Sequence, residues 1–298
     1  MVFNSLKKLI SDKIDNKINR LFTTERLLGQ FYISSDGPAA ESGKIDQLKK
    51  IEYGDPYQTK STTEVQGLPV PPLGRLTMQY GSTVEGYIKS GEQTAAKIRA
   101  IEEKYGIFRD ENRSVLEWGC TTGRVLRHFA EDAKKSEFWG IDVDRPSIDW
   151  AKANLSPPFH FFCCSAYPYL PFPDNKFSLI YGISVMTHLS HFRDMWLMEL
   201  RRILCPNGLL ILTIHDEHTV SLWQKREVKK MPWWVQRLDL DEVLKHEFTI
   251  FRGDNWANSY TIFQTEYIRR EWGQYLEVLE IEPSAEGKTQ SAVIMRKK

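Results

Sequence analysis

Residues 115–124 read VLEWGCTTGR, an apolar run closed by an acid and then two glycines, Gly119 and Gly123, with Thr121 between them. A short apolar run that leads through a glycine turn into a helical pattern is how a parallel strand meets the helix behind it. A dinucleotide fingerprint beginning at Gly119 would need glycines where the chain has Thr121 and Arg124, so that pattern fails twice. Glu117 would also stand beside a pyrophosphate and repel it. A cationic ligand reverses the sign of that argument, because a carboxylate at a strand tip holds an ammonium group directly or through water. Gly119 and Gly123 then let the turn approach the ligand, and Cys120 to Thr122 present backbone amides.

Outward from this turn, strand and helix patterns alternate. Strands are expected at 114–117, 138–142, 159–164, 177–183 and 209–214, with helices at 124–135, 147–154 and 192–204. This rhythm predicts an α/β fold, doubly wound, with a parallel sheet covered on both faces. The tail departs from it. A helix over 264–275 is followed by strands at 276–281 and 292–295 with no helix between them, which implies an antiparallel pair at the sheet edge.

Upstream, the good helix formers of GSTVEGYIKSGEQTAAKIRAIEEKYG predict a helix that stops on Gly106. Residues 34–72 are polar and turn-rich and read as a linker or draped extension. Phe3, Leu6, Ile10, Ile14, Ile18 and Leu21 fall on one helical face, with lysines on the others. Such a helix docks on its own body, on a second copy of the chain through self-association, or on an anionic membrane surface as a peripheral contact. The expected organisation is an N-terminal helical extension and linker over 1–110 and a main domain over 111–298, with a cap inserted at about 218–263.

Composition narrows the function classes. The chain has 298 residues, 41% hydrophobic and 27% charged, as in ordinary globular proteins. No run reaches the roughly 18 apolar residues of a membrane span, and the first 22 residues lack an apolar core followed by a cleavage site. A cytoplasmic location is therefore expected. The formal net charge of +1 disfavours a nucleic-acid partner. Cys120, Cys163, Cys164 and Cys205 show no CxxC spacing and are expected to be reduced thiols.

The E-x-G-x-x-x-G turn after the first strand resembles motif I of the class I S-adenosylmethionine-dependent methyltransferases, which usually reads D/E-x-G-x-G-x-G. Thr121 departs from that pattern, and a β-branched residue tolerates positive φ poorly. Either that position is not left-handed here, or the loop shifts. FWGIDVDRPSIDWAKANL is similar to the family's second strand and helix, which places Asp142 on the ribose hydroxyls and Val143 beside them. Asp144, ahead of Pro146, reads as a helix N-cap. CCSAYPYLPFPDNKFSLIYGISVMTHLS resembles the third and fourth strands with the turn between them. The family's acids in that stretch are Ser165 and Ser178 here, so adenine contacts fall to Ser165 and Ala166. ELRRILCPNGLLILTIHDE is similar to the family's turn and fifth strand. The resemblance covers about 113–297 and implies a Rossmann-like fold with a mostly parallel seven-stranded sheet, S-adenosylmethionine as cofactor, and Glu117, Gly119, Cys120, Gly123, Asp142, Val143, Ser165, Ala166 and Ser184 as its contacts.

In open α/β sheets ligands lie beyond the carboxyl ends of the strands. Ser184, Thr187, His188 and His191, and then His215, Asp216, Glu217 and His218, therefore face the acceptor. Methyl transfer is a displacement at a carbon that the sulfonium has already activated, so the protein aligns the nucleophile and removes its proton. His188 is the first candidate base and His215 the second. The paired spacing His188-x-x-His191 and His215-x-x-His218 raises a metal reading, but metal-assisted members of the class more often use carboxylates, and no metal is expected. In the cap, Lys225, Arg226, Lys229 and Lys230 beside Trp223, Trp233 and Trp234 suit an acidic or sugar-bearing substrate, a membrane surface or single-stranded RNA, or form an ordinary packed cap with a basic face. Arg75 and Tyr80 are further lid candidates. The expected function is O-methylation of a small molecule, sugar or glycan; the rivals are an RNA methyltransferase and a binding protein that keeps the fold without catalysis.

Overall fold

The computed structural model describes residues 63–72, 76, 83–107, 113–226, 230–252, 259–287 and 289–298. The helix expected within residues 1–22, most of the linker, Arg75, Tyr80 and Lys229 lie outside the described residues.

The described chain opens with a small hairpin, β1 (Glu64–Val65) and β2 (Leu68–Pro69), turned by Gln66 and Gly67, both at positive φ. Next is α1 (Val84–Lys104). Thr83 caps its start, the hydroxyl accepting from the Gly86 amide at 3.0 Å. Its end closes as the sequence predicts. Gly106 sits at φ +66, its amide donating to Glu103 O and that of Ile107 to Glu102 O, the paired bonds of a left-handed helix stop. Tyr87, Gly91, Thr94, Ala95, Ile98, Ile101 and Glu102 form the buried stripe, at helical spacing.

The main sheet contains β3 (Ser114–Trp118), β4 (Glu137–Asp142), β5 (His160–Cys163), β6 (Phe177–Gly182), β7 (Leu204–Asp216), β10 (Glu277–Glu286) and β11 (Gln290–Arg296), in the order β10-β11-β7-β6-β3-β4-β5. The strands from β7 through β5 pair in parallel; β11 lies antiparallel on β7, and β10 antiparallel on β11. This is the expected Rossmann-like α/β sheet with its antiparallel edge pair. α2 (Arg145–Leu155) joins β4 to β5, and α3 (Arg193–Ile203) joins β6 to β7. Successive side chains alternate between two cores. Leu116, Trp118, Ile180, Leu210 and Leu212 enter one, while Val115, Leu179, Tyr181, Leu209 and Ile211 enter the other, with α1.

Several elements differ from expectation, and β10 runs to Glu286, beyond the expected 276–281. Residues 124–135 form two 3-10 turns (Leu126–Phe129 and Asp132–Lys134) in place of a helix. A Cβ on Gly91 would stand 2.2 Å from the Arg124 carbonyl oxygen, so α1 crosses this segment at backbone contact. Its side chains are pulled several ways: Arg127 donates to the hairpin carbonyls of Val65, Leu68 and Pro69, and Arg124 pairs with Glu286. Packing overrides propensity there. β7 runs longer than 209–214 at both ends: Leu204 pairs with Phe177 of β6, and its tip, His215 and Asp216, pairs in parallel with β9 (Tyr260–Phe263), itself antiparallel to β8 (Phe248–Phe251). The tail helix is shorter, α6 (Thr265–Glu271), followed by a 3-10 turn, Trp272–Gln274.

Within the inserted region, α4 (Glu217–Gln224) and α5 (Leu240–Val243) gather a separate apolar cluster of Val220, Trp223, Trp234, Val235, Val243 and Ile262. No described helix is long and apolar enough to cross a membrane. All four cysteines are free.

Candidate active site

The glycine turn sits at the carboxyl end of β3. Gly119 (φ +80) and Gly123 (φ +76) adopt backbone that an L side chain rarely takes. Gly119 also has no room: an added Cβ would lie 2.2 Å from Val185 Cγ2, on the turn after β6. The amides of Gly119 and Cys120 both donate to Ile141 O, at 2.8 and 3.0 Å, and tie the loop to β4. Thr121 is left-handed, at φ +47, so the loop keeps its shape with a β-branched residue where glycine is the easier choice. Two bonds hold it there. Its amide donates to Asp142 Oδ2 at 2.8 Å, and its hydroxyl to Cys120 O at 2.8 Å.

Asp142 ends β4 and joins two loops, because its other oxygen accepts from the Asp144 amide at 2.8 Å. Burial pushes its pKa up, against the pull of those amides. Asp144 does occupy the N-cap position of α2, yet its carboxylate accepts from the Ser147 hydroxyl and caps no backbone amide. Glu117 lies on the α1 side of the sheet, 3% exposed, and bonds the Leu126 amide and the Tyr181 hydroxyl, the latter at 3.4 Å. Burial raises its pKa to about 8, with the Arg124 guanidinium opposing. This carboxyl lies beneath the loop, bonded to the first of the 3-10 turns and to β6.

Val143, Ser165 and Ala166 are exposed on the loops after β4 and β5. The Ser165 hydroxyl accepts from the Tyr167 amide at 3.2 Å, and the Ala166 carbonyl from Trp196 Nε1 at 3.3 Å. Ser178 is at the far end of β6, bonded to Ser114 O.

The opposite wall follows β6 and β7. Ser184 (φ +59) begins a turn that ends in the 3-10 segment Met186–His188. His188 Nδ1 lies 3.0 Å from Ser259 O, and its ring lies 5.0 Å from that of Tyr260. A carbonyl only accepts, so in the neutral ring Nδ1 carries the proton and the lone pair is on Nε2. Nε2 has no hydrogen-bond partner among the described residues. Burial lowers the His188 pKa and keeps the ring neutral.

His215 is different. It is buried between Trp223 and Trp234, with ring centroids at 5.2 and 5.7 Å, and its Nδ1 has no partner among the described residues. Burial, with a smaller contribution from His188, lowers its pKa to about 3. Such a group stays neutral, enclosed by the tryptophans of the cap.

The remaining polar groups of this wall serve structure. Asp216 caps α4 in a reciprocal box with Thr219, and Glu217 accepts from the Thr265 amide at 3.0 Å at the start of α6. The histidine pairs diverge: His188 faces Ser259, His218 faces Ser284, and among the described residues no group of three or more potential ligands is arranged for a metal. Trp223 and Trp234 belong to the cap core and leave only Trp233 exposed, beneath Arg237 at 5.1 Å.

Residues 115–208 match a family model described as a methyltransferase domain. Over these residues the chain is similar to a methyltransferase domain. Solved structures similar to it include a SAM-dependent methyltransferase from Methanosarcina mazei, 19% identical, covering 66% of this chain and 96% of that one with a TM-score of 0.47. Another is an S-adenosylmethionine-dependent methyltransferase from Clostridium acetobutylicum, 10% identical, covering 69% and 91% with a TM-score of 0.49. No curated protein matches.

Around the methyltransferase domain the structure adds residues that sequence reading missed. Tyr87 of α1 hydrogen-bonds Thr122, through its carbonyl and its hydroxyl, both at 3.2 Å, so the extension touches the glycine loop itself. Thr94 and Arg124 meet on Glu286, from the β10–β11 hairpin. Thr213 and Gln290 meet at Ser184. Each is a polar residue in an apolar or loop segment, a signal too common to single out. Their partners lie far away in sequence.

Proposed function

We propose that this protein is an S-adenosylmethionine-dependent methyltransferase that methylates a hydroxyl of a small molecule, sugar or glycan, with His188 as general base. The cofactor supplies a methyl group on a positively charged sulfur. The chain's residues fit it. Gly119 and Gly123 present no side chain at the two ends of the turn. Asp142 fixes that turn and keeps lone pairs for ribose hydroxyls, with Val143, Ser165 and Ala166 exposed beyond it for the base. Glu117 acts through the loop.

The observation that carries the reading is His188. Its Nδ1 proton is committed to a backbone carbonyl, its Nε2 lone pair is uncommitted among the described residues, and the ring is neutral, so that lone pair is open to a proton. It stands at the end of the turn whose Val185 touches Gly119. An acceptor hydroxyl beside His188 would give up its proton to Nε2; the cofactor, when bound, would supply the methyl group to that oxygen by cleavage of its S–CH3 bond, leaving S-adenosylhomocysteine. The inserted region reaches His188 through Ser259 and Tyr260. A cytoplasmic enzyme is the setting we infer.

Calorimetric titration with S-adenosylmethionine and S-adenosylhomocysteine tests the cofactor. Saturable binding at one site per chain is expected, and no binding defeats the reading in favour of a fold kept without catalysis. Screening sugar and phenol acceptors against RNA then tests the substrate class.

A further inference from the structure

We propose that Gln290, at the start of β11, is a positioning residue for methyl transfer, its side-chain amide locking the Ser184 turn that presents His188 to the acceptor. This rests on the reading of His188 as base. Thr213 Oγ1 accepts the Ser184 amide at 2.7 Å. Its single proton therefore goes to Gln290 Oε1, also at 2.7 Å. That bond fixes which way the amide faces, and Gln290 Nε2 donates to Ser184 Oγ. The ring closes on one residue.

Ser184 needs such a lock. It is a non-glycine residue at φ +59, and conformations of this kind persist only where the surroundings over-determine them. Its amide goes to Thr213, its hydroxyl to Gln290, and its carbonyl accepts from Thr187 Oγ1 at 2.9 Å. From there the chain runs through Val185, which fills the space left open at Gly119, to His188, whose amide donates to Val185 O at 2.9 Å. One turn thus sets the spacing between glycine loop and base.

Gln290 is itself held from outside the pocket. Its hairpin is anchored at Glu286 by Thr94 and Arg124, and Thr219 Oγ1 of α4 donates to Thr289 O at 2.6 Å. Thr213 and Gln290 are 2% and 7% exposed, so no bulk water substitutes for a lost partner.

The test uses the full chain and three variants, Gln290→Leu, Thr213→Val and Thr213→Ser, read by turnover, calorimetric cofactor affinity and amide hydrogen exchange at Ser184. Both Q290L and T213V are expected to lower kcat by about 30- to 100-fold while cofactor affinity changes by less than about threefold. Exchange at Ser184 is expected to quicken by about tenfold or more in each. T213S, which keeps the hydroxyl, restores most of the rate lost in T213V. Unchanged exchange and unchanged kcat in Q290L and T213V overturn the proposal, and so does a loss of cofactor affinity parallel to the loss of rate, since that marks a general packing role. Failure of H188A to slow turnover would count against the base, whereas the exchange data judge the lock independently.

Discussion

The glycine loop and the histidine wall face each other across the carboxyl ends of the strands, and they are built on opposite principles. The loop is held by its own backbone: Gly119 and Gly123 take φ values of +80 and +76, and its amides bond Ile141 and Asp142 on the adjacent strand. The wall is held by side chains from distant segments, with Ser259, Tyr260, Thr213 and Gln290 converging on the turn from Ser184 to His188. Their electrostatics differ too. Beneath the loop a buried acid is kept protonated, whereas in the wall buried histidines are kept neutral. Burial drives both shifts, since removal from water disfavours whichever form is charged.

The sharpest way to break this contrast is Gly119→Ala. It meets both a positive φ and a contact of 2.2 Å with Val185, and is expected to weaken S-adenosylmethionine binding by about 100-fold or more in calorimetry. His188→Ala should act on the other side alone. A fall in kcat of about 10²- to 10⁴-fold with cofactor affinity retained is expected; undiminished turnover removes His188 from the chemistry. In the wild type, kcat should fall as pH drops and the His188 ring takes up a proton below its ordinary value of 6.5.

Stability against pH sharpens the electrostatic half of the comparison. Glu117 has a native pKa of about 8 against an ordinary 4.5, so between these values the native state holds a proton that the unfolded chain has lost. Its contribution is therefore present at acid pH and is lost as pH rises through 8, with a slope of at most about 1.4 kcal/mol per pH unit. Glu117→Gln, which mimics the protonated carboxyl, should flatten that slope in denaturant titrations. His215 works in the opposite sense. Its native pKa of about 3 lies below the ordinary 6.5, so the unfolded chain binds the extra proton and stability falls as pH falls from 6.5 towards 3. The smallest expected effect belongs to Thr121→Gly, which relaxes the left-handed strain at the loss of one hydroxyl bond; it should change thermal stability by about 1 kcal/mol or less and leave cofactor affinity in place.

The loop side was legible because its determinants are local. An apolar strand, two glycines four residues apart and an acid at the end of the next strand are visible as spacing, and Gly119, Gly123 and Asp142 stand where that spacing puts them. Glu117 was legible as an acid, but not as a buried one, because the face it takes depends on α1 and Tyr181. In sequence both histidines follow a strand, with His188 the first candidate and His215 the second. Burial in the cap core and one carbonyl from β9's neighbour Ser259 separate them. Thr121 was a departure whose outcome turned on whether a second strand supplied a partner, and Asp142 supplies it.

By itself, then, the sequence determined the alternation of strands and helices, the glycine turn and the antiparallel tail, all of which follow from periodicity and backbone conformational cost within a few residues. Tertiary structure alone decided that residues 124–135 coil as 3-10 turns under Gly91, that His188 bonds the Ser259 carbonyl while His215 is enclosed by Trp223 and Trp234, and that Gln290 reaches Ser184. These depend on which distant groups share a water-excluded space, and that is a property of packing that no local pattern encodes.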